Sequence, residues 1–148
     1  MTKRPDVNHS FQATVVWDGE TGGEITIEDF PEITIDSPTE WGGHSRSYCP
    51  DQLFVSSVAG CLLETFLSIK KKMRINLSHL KVPLQMTIRQ ARDGWHIQEI
   101  KGIIQATVGK GQKEKGETCA QLAEEYCHLI RLIKKTIPVK ITYELTVT

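Results

Sequence analysis

The chain has 148 residues, a length that suits one domain. Hydrophobic residues make up 39% of it and charged residues 24%, a composition that fits a globular protein and excludes a disordered one. The 18 basic and 18 acidic residues cancel. This balance argues against a nucleic-acid-binding groove, which needs a basic excess, and against a polybasic membrane anchor.

The first residues and the cysteines indicate the compartment. Residues 2–6 contain no apolar segment of the kind that opens a secretory signal, so we expect a cytoplasmic protein. Four cysteines in a cytoplasmic chain are not expected to form a structural disulfide framework. Three interpretations of them stay open, which are metal binding, redox chemistry and core packing.

The N-terminal third predicts a small antiparallel meander. Alternating and β-branched residues place strands at 11–17, 24–28 and 32–36. A loop over 36–49 follows, and its chemically versatile side chains are those of Trp41, His44, Arg46, Tyr48 and Cys49.

A long helix is predicted from Pro50 to about Arg74. Pro at the first helical position, followed by Asp51, is a start signal, and basic residues suit the negative end. Between 52 and 69 the only charged residue is Glu64, and apolar residues occupy every side. Such a helix is either a core helix or a membrane span. Its polar residues are poor lipid neighbours, so we expect a buried central helix with one face covered by a second copy, in a homodimer.

The next segment predicts a hairpin. Two strands, over 77–92 and 95–108, flank Asp93 and Gly94, which form a strong two-residue turn signal. A loop rich in lysine and glycine follows over 109–116.

The last segment predicts one helix and one strand. Thr118 and Gln121 form a capping box for a helix from about 119 to 135, whose apolar positions make a single stripe. Pro138 follows it, and 139–148 alternates like a strand. The resulting order, βββ–α–ββ–α–β without a linker, predicts a single α+β domain over residues 1–148.

Two familiar ligand-binding motifs are rejected. Segment 111–118 is similar to a phosphate-binding loop, but Glu117 occupies the position of the essential lysine. No cysteine pair has the C-x₂₋₄-C spacing of a zinc site, and on a helix His128 would point about 100° away from Cys127. We therefore expect no metal, and we assign the five histidines to surface or core positions.

The cysteine spacing limits which disulfides can form. Cys61 lies about 16 Å along one helix from Pro50, next to Cys49, and Cys119 and Cys127 lie about 12 Å apart along another. Both distances exceed the roughly 6 Å between Cα atoms that a disulfide requires. A pair must therefore join the two helices, as Cys61 with Cys127 or Cys61 with Cys119. The alternative is that the cysteines are small hydrophobic side chains.

A reactive thiol at Cys61 would need a cation nearby. Apolar surroundings disfavour a thiolate, and the helix dipole acts only over the first turn. Arg46 lies in the loop before the helix, and Asp51 could hold its guanidinium with a bidentate pair. Arg131 is the second candidate. We expect Arg46→Ala to lower the reactivity of the Cys61 thiol by at least about tenfold.

Segment 49–62, Cys-Pro-Asp-Gln-Leu-Phe-Val-Ser-Ser-Val-Ala-Gly-Cys-Leu, resembles the helix of the OsmC/Ohr family, the osmotically inducible and organic-hydroperoxide-resistance proteins. That family shows Asn-Pro-Glu-(Gln/Glu)-Leu, then small residues, then a reactive cysteine. Segment 123–127, Ala-Glu-Glu-Tyr-Cys, resembles the site of its second cysteine. The order of elements matches as well, so the resemblance covers nearly the whole chain.

The resemblance implies an OsmC-like fold and an intertwined homodimer with active sites at the subunit interface. It implies a cysteine-based peroxidase that needs no metal, flavin or haem. By position, Cys61 reduces the hydroperoxide and becomes a sulfenic acid, Cys127 resolves it to a disulfide, and a dithiol reduces that bond. The resemblance also implies an arginine and an acidic residue in the site, at Arg46 and Asp51.

Three departures make the chain more similar to a divergent OsmC-like branch. Asp51 is one methylene shorter than the family's Glu, Glu24 stands where organic-hydroperoxide members carry Arg, and His128 replaces the Pro after the second cysteine. The missing Glu and the relocated Arg favour an alternative function, a non-enzymatic dimer that binds a small apolar ligand at its interface. Peroxidase activity on organic hydroperoxides or H₂O₂ is the first expectation. The residues expected to be dispensable for it are the histidines, Cys49 and Cys119.

Overall fold

The computed structural model describes residues 8–148. Residues 1–7, which carry the expectation about a signal segment, lie outside the described residues. The chain forms two compact units that divide after Leu53, within one long helix. Helices and sheets together give the α+β class that the sequence predicts. The elements are β1 (Thr14–Trp17), β2 (Gly22–Thr26), β3 (Ile33–Asp36), a short 3₁₀ helix (Thr39–Trp41), α1 (Pro50–Met73), β4 (Leu77–Lys81), β5 (Leu84–Ala91), β6 (Gly94–Val108), α2 (Lys113–Tyr126), α3 (His128–Ile133) and β7 (Val139–Val147).

The N-terminal unit contains an antiparallel sheet in the order β1-β2-β3. The three predicted strands are present, but β2 begins two residues earlier than expected because Gly22 and Gly23 join the sheet rather than the turn. The tight turn before them has Gly19 at φ 86°, a conformation that favours glycine. Asp18 Oδ1 closes this turn by accepting the backbone N–H of Glu20 at 2.8 Å.

Helix α1 spans Pro50–Met73, which confirms the predicted helix, and it ends where Arg74 adopts φ 55°. Its length and hydropathy would also suit a membrane span. Instead, one stripe lies in the core of the C-terminal unit, formed by Val58, Leu62 and Phe66. A second apolar stripe is only partly buried within one chain, and its members are Val55, Ala59, Leu63 and Leu67. The helix is therefore not buried on every side by the described part of its own chain.

The C-terminal unit contains a four-stranded sheet built around β6. The first part of β6 pairs antiparallel with β5, its last residues pair antiparallel with β4, and β7 runs parallel to it over Ile100–Val108. The single strand predicted over 77–92 is wrong, because it divides at Val82 and Pro83. Proline has no N–H for a sheet ladder, and Pro83 instead offers its carbonyl to the N–H of Ile103 at 3.1 Å.

The predicted helix over 119–135 also needs correction. Helix α2 begins at Lys113, six residues before the expected start, and the Thr118 hydroxyl donates back to the Glu114 carbonyl at 3.0 Å instead of capping. The helix then breaks at Cys127, whose ψ of 111° is extended, and α3 follows. The observed order is therefore βββ–α–βββ–αα–β, with one more strand and one more helix than predicted.

The core of the C-terminal unit lies where α1, α2 and α3 pack with the sheet. Gly116 allows a close approach there, since a Cβ at this position would stand 2.9 Å from the Leu145 side chain. The largest fully buried side chains of this core are Phe66, Leu62, Ile100, Ile104, Ile130 and Val58. Cys119 and Cys127 are buried in the same cluster.

Candidate active site

Two of the four cysteines meet in the C-terminal unit. Cys61 lies in the middle of α1, and Cys127 lies between α2 and α3. The Cys127 thiol donates to Cys61 Sγ at 3.4 Å, and both cysteines are free. Of the two inter-helix pairs that the sequence leaves open, the structure brings this one together. Cys119 Sγ instead donates to the carbonyl of Phe66 at 3.6 Å.

The break between α2 and α3 sets the direction of the Cys127 side chain. The Cys127 N–H still donates to the Ala123 carbonyl at 2.9 Å and completes α2, but the extended ψ turns the following chain away from the helical path. On an unbroken helix the side chains of Cys127 and His128 would diverge by about 100°. Because the helix breaks between them, both side chains reach Cys61.

His128 is the candidate site residue that sequence reasoning missed. Its Nδ1 lies 3.7 Å and its Nε2 3.9 Å from Cys61 Sγ, so either ring nitrogen can share a proton with the sulfur. The assignment of every histidine to an ordinary surface or core position is corrected here, because it assumed an unbroken helix. The sequence feature that could have indicated a site role was the position of His128, directly after Cys127.

The two thiols have different surroundings. Cys127 is fully buried, whereas Cys61 is partly exposed. Burial raises the pKa of the Cys127 thiol above its usual value; the backbone N–H of Ile130 partly offsets this rise, and Cys61 adds to it. Cys127 therefore keeps its proton and donates it towards the Cys61 sulfur. In this arrangement Cys61 can act as the accessible nucleophile, and Cys127 is the protonated thiol that can react with it afterwards.

An open cavity of about 480 Å³ adjoins the His128 ring. Lys134 in its wall is paired with Glu124 at 2.5 Å. Among the ion pairs of the described residues, none involves Arg131 or His128. The cavity is therefore basic, and the residues that line it are His128, Arg131, Leu132, Lys134 and Lys135.

A small polar clamp fixes the residues on either side of the helix break. The carboxylate of Glu124, on α2, accepts the Tyr143 hydroxyl of β7 and the Lys134 ammonium that follows α3. Burial, together with the neighbouring Glu124, raises the pKa of Tyr143 above its usual value, so Tyr143 keeps its proton. The clamp thus joins three elements around Cys127.

Arg46 and Asp51 lie in the N-terminal unit, and the structure does not pair them. The guanidinium instead contacts three other carboxylates, through Nε to Asp36 at 2.6 Å, Nη1 to Glu20 at 2.9 Å and Nη2 to Asp18 at 2.7 Å. The expected bidentate pair between Arg46 and Asp51 is therefore corrected, because other carboxylates occupy the donors of Arg46.

Asp36 is the buried member of this group, with 2% of its surface exposed. The Arg46 guanidinium, helped by the Thr21 hydroxyl, holds the pKa of Asp36 well below its usual range. Asp36 also accepts the Ser37 N–H at 2.9 Å and the Arg46 N–H at 3.1 Å. A charged carboxylate therefore ties the loop over 36–49 to the end of β3.

The other two cysteines do not join the pair. Cys49 is buried before the first turn of α1, and its N–H donates to the Gln52 side chain at 2.9 Å. Burial raises the pKa of Cys119 to about 11, so this thiol is protonated at neutral pH. Within residues 8–148, no three His, Cys, Asp or Glu side chains are arranged to hold a metal ion.

The chain is similar in sequence to one protein family and in fold to several solved structures. A family model described as OsmC-like protein matches residues 42–142. No curated protein sequence gives a significant match. Three solved structures share the fold: a hypothetical protein from Aquifex aeolicus VF5 (TM-score 0.78, 20% identity, covering 95% of this chain and 99% of that one), an OsmC-like protein from Mycoplasma pneumoniae (0.79, 16%, 96% and 99%) and an organic hydroperoxide resistance protein OsmC from Legionella pneumophila (0.74, 17%, 94% and 99%).

Proposed function

Because this chain belongs to the OsmC-like family, we propose that it is a thiol peroxidase that reduces organic hydroperoxides or hydrogen peroxide. The single observation that carries the proposal is the 3.4 Å contact between the sulfurs of Cys61 and Cys127. A partly exposed thiol can meet a peroxide, and a buried thiol in contact with it can close a disulfide. The organic hydroperoxide resistance protein of Legionella pneumophila, with a similar fold, supports the peroxide substrate.

The reaction oxidises the two thiols with one hydroperoxide, and a reductant restores them. The Cys61 thiolate attacks the terminal oxygen of the hydroperoxide, so that an S–O bond forms, the O–O bond breaks, and the departing oxygen takes a proton to leave as an alcohol or water. The Cys127 sulfur then attacks the Cys61 sulfenic acid, which loses its hydroxyl with a proton as water. A dithiol reduces the resulting disulfide by exchange and becomes oxidised itself.

We assign this chemistry to a cytoplasmic homodimer in which each chain is one OsmC-like domain. The support is the second stripe of α1, Val55, Ala59, Leu63 and Leu67, which one chain leaves partly exposed. At roughly 25 cal/mol for each Å² of apolar surface removed from water, a second copy that covers this stripe would gain substantial stability.

Arg46 and Asp51 remain proposed site residues. The Arg46 guanidinium contacts three carboxylates, and we expect Arg46→Ala to slow peroxide consumption by at least about tenfold. Asp51 lies on the first turn of α1, at the position of the family's acidic residue.

Thiol counting tests the proposed function. The reduced protein is mixed with one equivalent of cumene hydroperoxide, and free thiols and remaining peroxide are measured. A peroxidase loses two thiols for each peroxide consumed, and Cys61→Ser abolishes the loss. Cys119→Ser is the matched control, because it removes a buried thiol outside the pair and is expected to leave the stoichiometry unchanged. A wild-type protein that retains its thiols and its peroxide refutes the proposal.

The second hypothesis is a non-enzymatic dimer that binds a small apolar ligand between its subunits. The observation that favours it is the same partly exposed stripe of α1, which would line such a site. A binder would retain all its thiols in the experiment above.

A further inference from the structure

We propose that His128 is the acid–base partner of Cys61, a catalytic residue that exchanges a proton with the reacting sulfur. The inference rests on the peroxidase function proposed above and deepens it. It differs from the sequence-based expectation, which looked to Arg46 for a cation and set the histidines aside.

The contact between the imidazole and the sulfur is the first argument. Both ring nitrogens of His128 lie within 3.9 Å of Cys61 Sγ. Among residues 8–148 the other thiol in contact is Cys127, which is buried and, with its pKa raised, retains its proton. A proton leaving Cys61 therefore has the imidazole as its nearest acceptor within this unit.

The carboxylates nearest the pair are exposed or occupied by other partners. On α1, Glu64 lies one turn beyond Cys61 and is exposed, and on α2 the Glu124 carboxylate is occupied by Lys134 and Tyr143. No ion pair of the described residues ties His128 to a carboxylate. The ring is thus free to serve the sulfur. The remaining charged groups on its side of the cavity are the cations Arg131, Lys134 and Lys135.

The proposed step balances without an additional reactant. The imidazole takes the proton of the Cys61 thiol, which gives a thiolate beside an imidazolium. The thiolate then attacks the terminal peroxide oxygen, and the imidazolium returns its proton to the oxygen that departs as the O–O bond breaks. The products are the Cys61 sulfenic acid, an alcohol and neutral His128.

The position of His128 in the fold provides two informative variants. It is the first residue of α3, and Cys127 before it is extended at φ −65° and ψ 111°. Proline is well tolerated at a first helical position that follows an extended residue. His128→Pro should therefore fold while removing the imidazole, and His128→Gln keeps a polar side chain that does not titrate near neutral pH.

The test measures the rate at which iodoacetamide alkylates Cys61 as a function of pH, in the full-length reduced protein, with the modified residue identified by peptide mass spectrometry. For wild type we expect rapid alkylation at pH 7, because the imidazole takes the proton of the thiol. His128→Gln and His128→Pro should react about tenfold more slowly at pH 7 and need a more alkaline pH to reach the wild-type rate. His79→Gln, which removes an exposed histidine of β4, is the matched control and should behave like wild type.

Chemical rescue supplies a second readout that a merely structural role would not move. Adding imidazole to His128→Ala should restore the alkylation rate in proportion to the imidazole concentration. Superimposable profiles for wild type and His128→Gln, together with no effect of imidazole, would overturn the inference. Alkylation needs no peroxide, so it tests the Cys61–His128 pair independently of the proposed function. If the alkylation profile depends on His128 but the protein does not consume peroxide, the proposed function is refuted and the acid–base pair is retained.

Discussion

The sulfurs of Cys61 and Cys127 differ in burial, and this difference suits them to different roles. Cys127 is enclosed by the core and holds its proton, whereas Cys61 is partly exposed, accepts the hydrogen bond of the Cys127 thiol and contacts the His128 ring. In the proposed mechanism a peroxide therefore reaches Cys61 first, and Cys127 reacts with Cys61 only after Cys61 has become a sulfenic acid.

Cys127→Ser should separate the two steps. We expect Cys61 to react with peroxide in this variant but to stop at the sulfenic acid, because the resolving thiol is missing. Trapping with dimedone, followed by mass spectrometry, should label Cys61 in the variant and much less in wild type. Equal labelling of both proteins would mean that Cys127 does not resolve Cys61.

The lowered pKa of Asp36 predicts that the stability of the protein depends on pH. Because its pKa is held below the usual range, its contribution to stability is fully present above about pH 4, near the unfolded value, and is lost as the pH falls further. Asp36→Asn should lower the melting temperature by about 5 °C or more at pH 7, with a smaller difference at pH 3. Thermal unfolding followed by tryptophan fluorescence measures both.

Asp29→Asn is the matched control for this experiment. Asp29 is an exposed carboxylate of the same unit at φ 65°, a conformation that asparagine also tolerates. It should melt like wild type at both pH values. A destabilisation by Asp36→Asn that is equally large at pH 7 and pH 3 would contradict the assignment of a charged, paired carboxylate.

The break between α2 and α3 is the decisive feature at the element scale, since it turns Cys127 and His128 towards α1. The hydrophobic pattern runs through this break without interruption, because Cys127 and Ile130 both belong to the core. Sequence periodicity therefore predicts one helix where there are two. The carboxylate of Glu124 holds the two sides through the side chains of Tyr143 and Lys134, and pairing across 10 and 19 residues is invisible to a local pattern.

Tyr143→Phe tests this clamp. Loss of the hydroxyl leaves the Glu124 carboxylate with one partner fewer, and we expect the free energy of unfolding to fall by about 1–2 kcal/mol, measured by urea denaturation. Tyr126→Phe is the matched control, because Tyr126 is exposed at the end of α2, and it should change stability by less than about 0.5 kcal/mol. Equal effects of the two substitutions would argue against the clamp.

Helix α1 shows where sequence was sufficient. Pro50, Asp51 and the terminal lysines are local signals of its ends, and a long apolar run with a single charge predicts a core helix. The division of the strand at Pro83 could not be predicted from the local pattern, because it depends on which N–H groups the sheet uses. The contact between Cys61 and His128 could not be predicted either, because it joins residues 67 positions apart.

Residues 8–148 leave one side of α1 only partly buried. Beside its buried stripe runs the partly exposed stripe of Val55, Ala59, Leu63 and Leu67, with spacing of four residues. A repeat at this spacing forms one continuous ridge along a helix, suited to packing against another helix. We therefore expect this ridge to meet a second copy of the chain.

Leu63→Glu should weaken that association. A carboxylate on the ridge would lose its hydration in a dimer, so we expect sedimentation velocity at micromolar concentration to shift from dimer towards monomer. Ser68→Glu, on an exposed position of the same helix, is the matched control and should remain dimeric. A wild-type protein that sediments as a folded monomer would contradict the proposed assembly.

The central claim is that Cys61 and Cys127 of one chain form the redox pair. Peptide mapping by mass spectrometry without reduction, after reaction with one equivalent of cumene hydroperoxide, tests it most directly. The account predicts a single disulfide between Cys61 and Cys127 within a chain, because their sulfurs are already 3.4 Å apart and need only close to about 2.05 Å. A disulfide that involves Cys49 or Cys119, or four thiols left free while peroxide disappears, would contradict it.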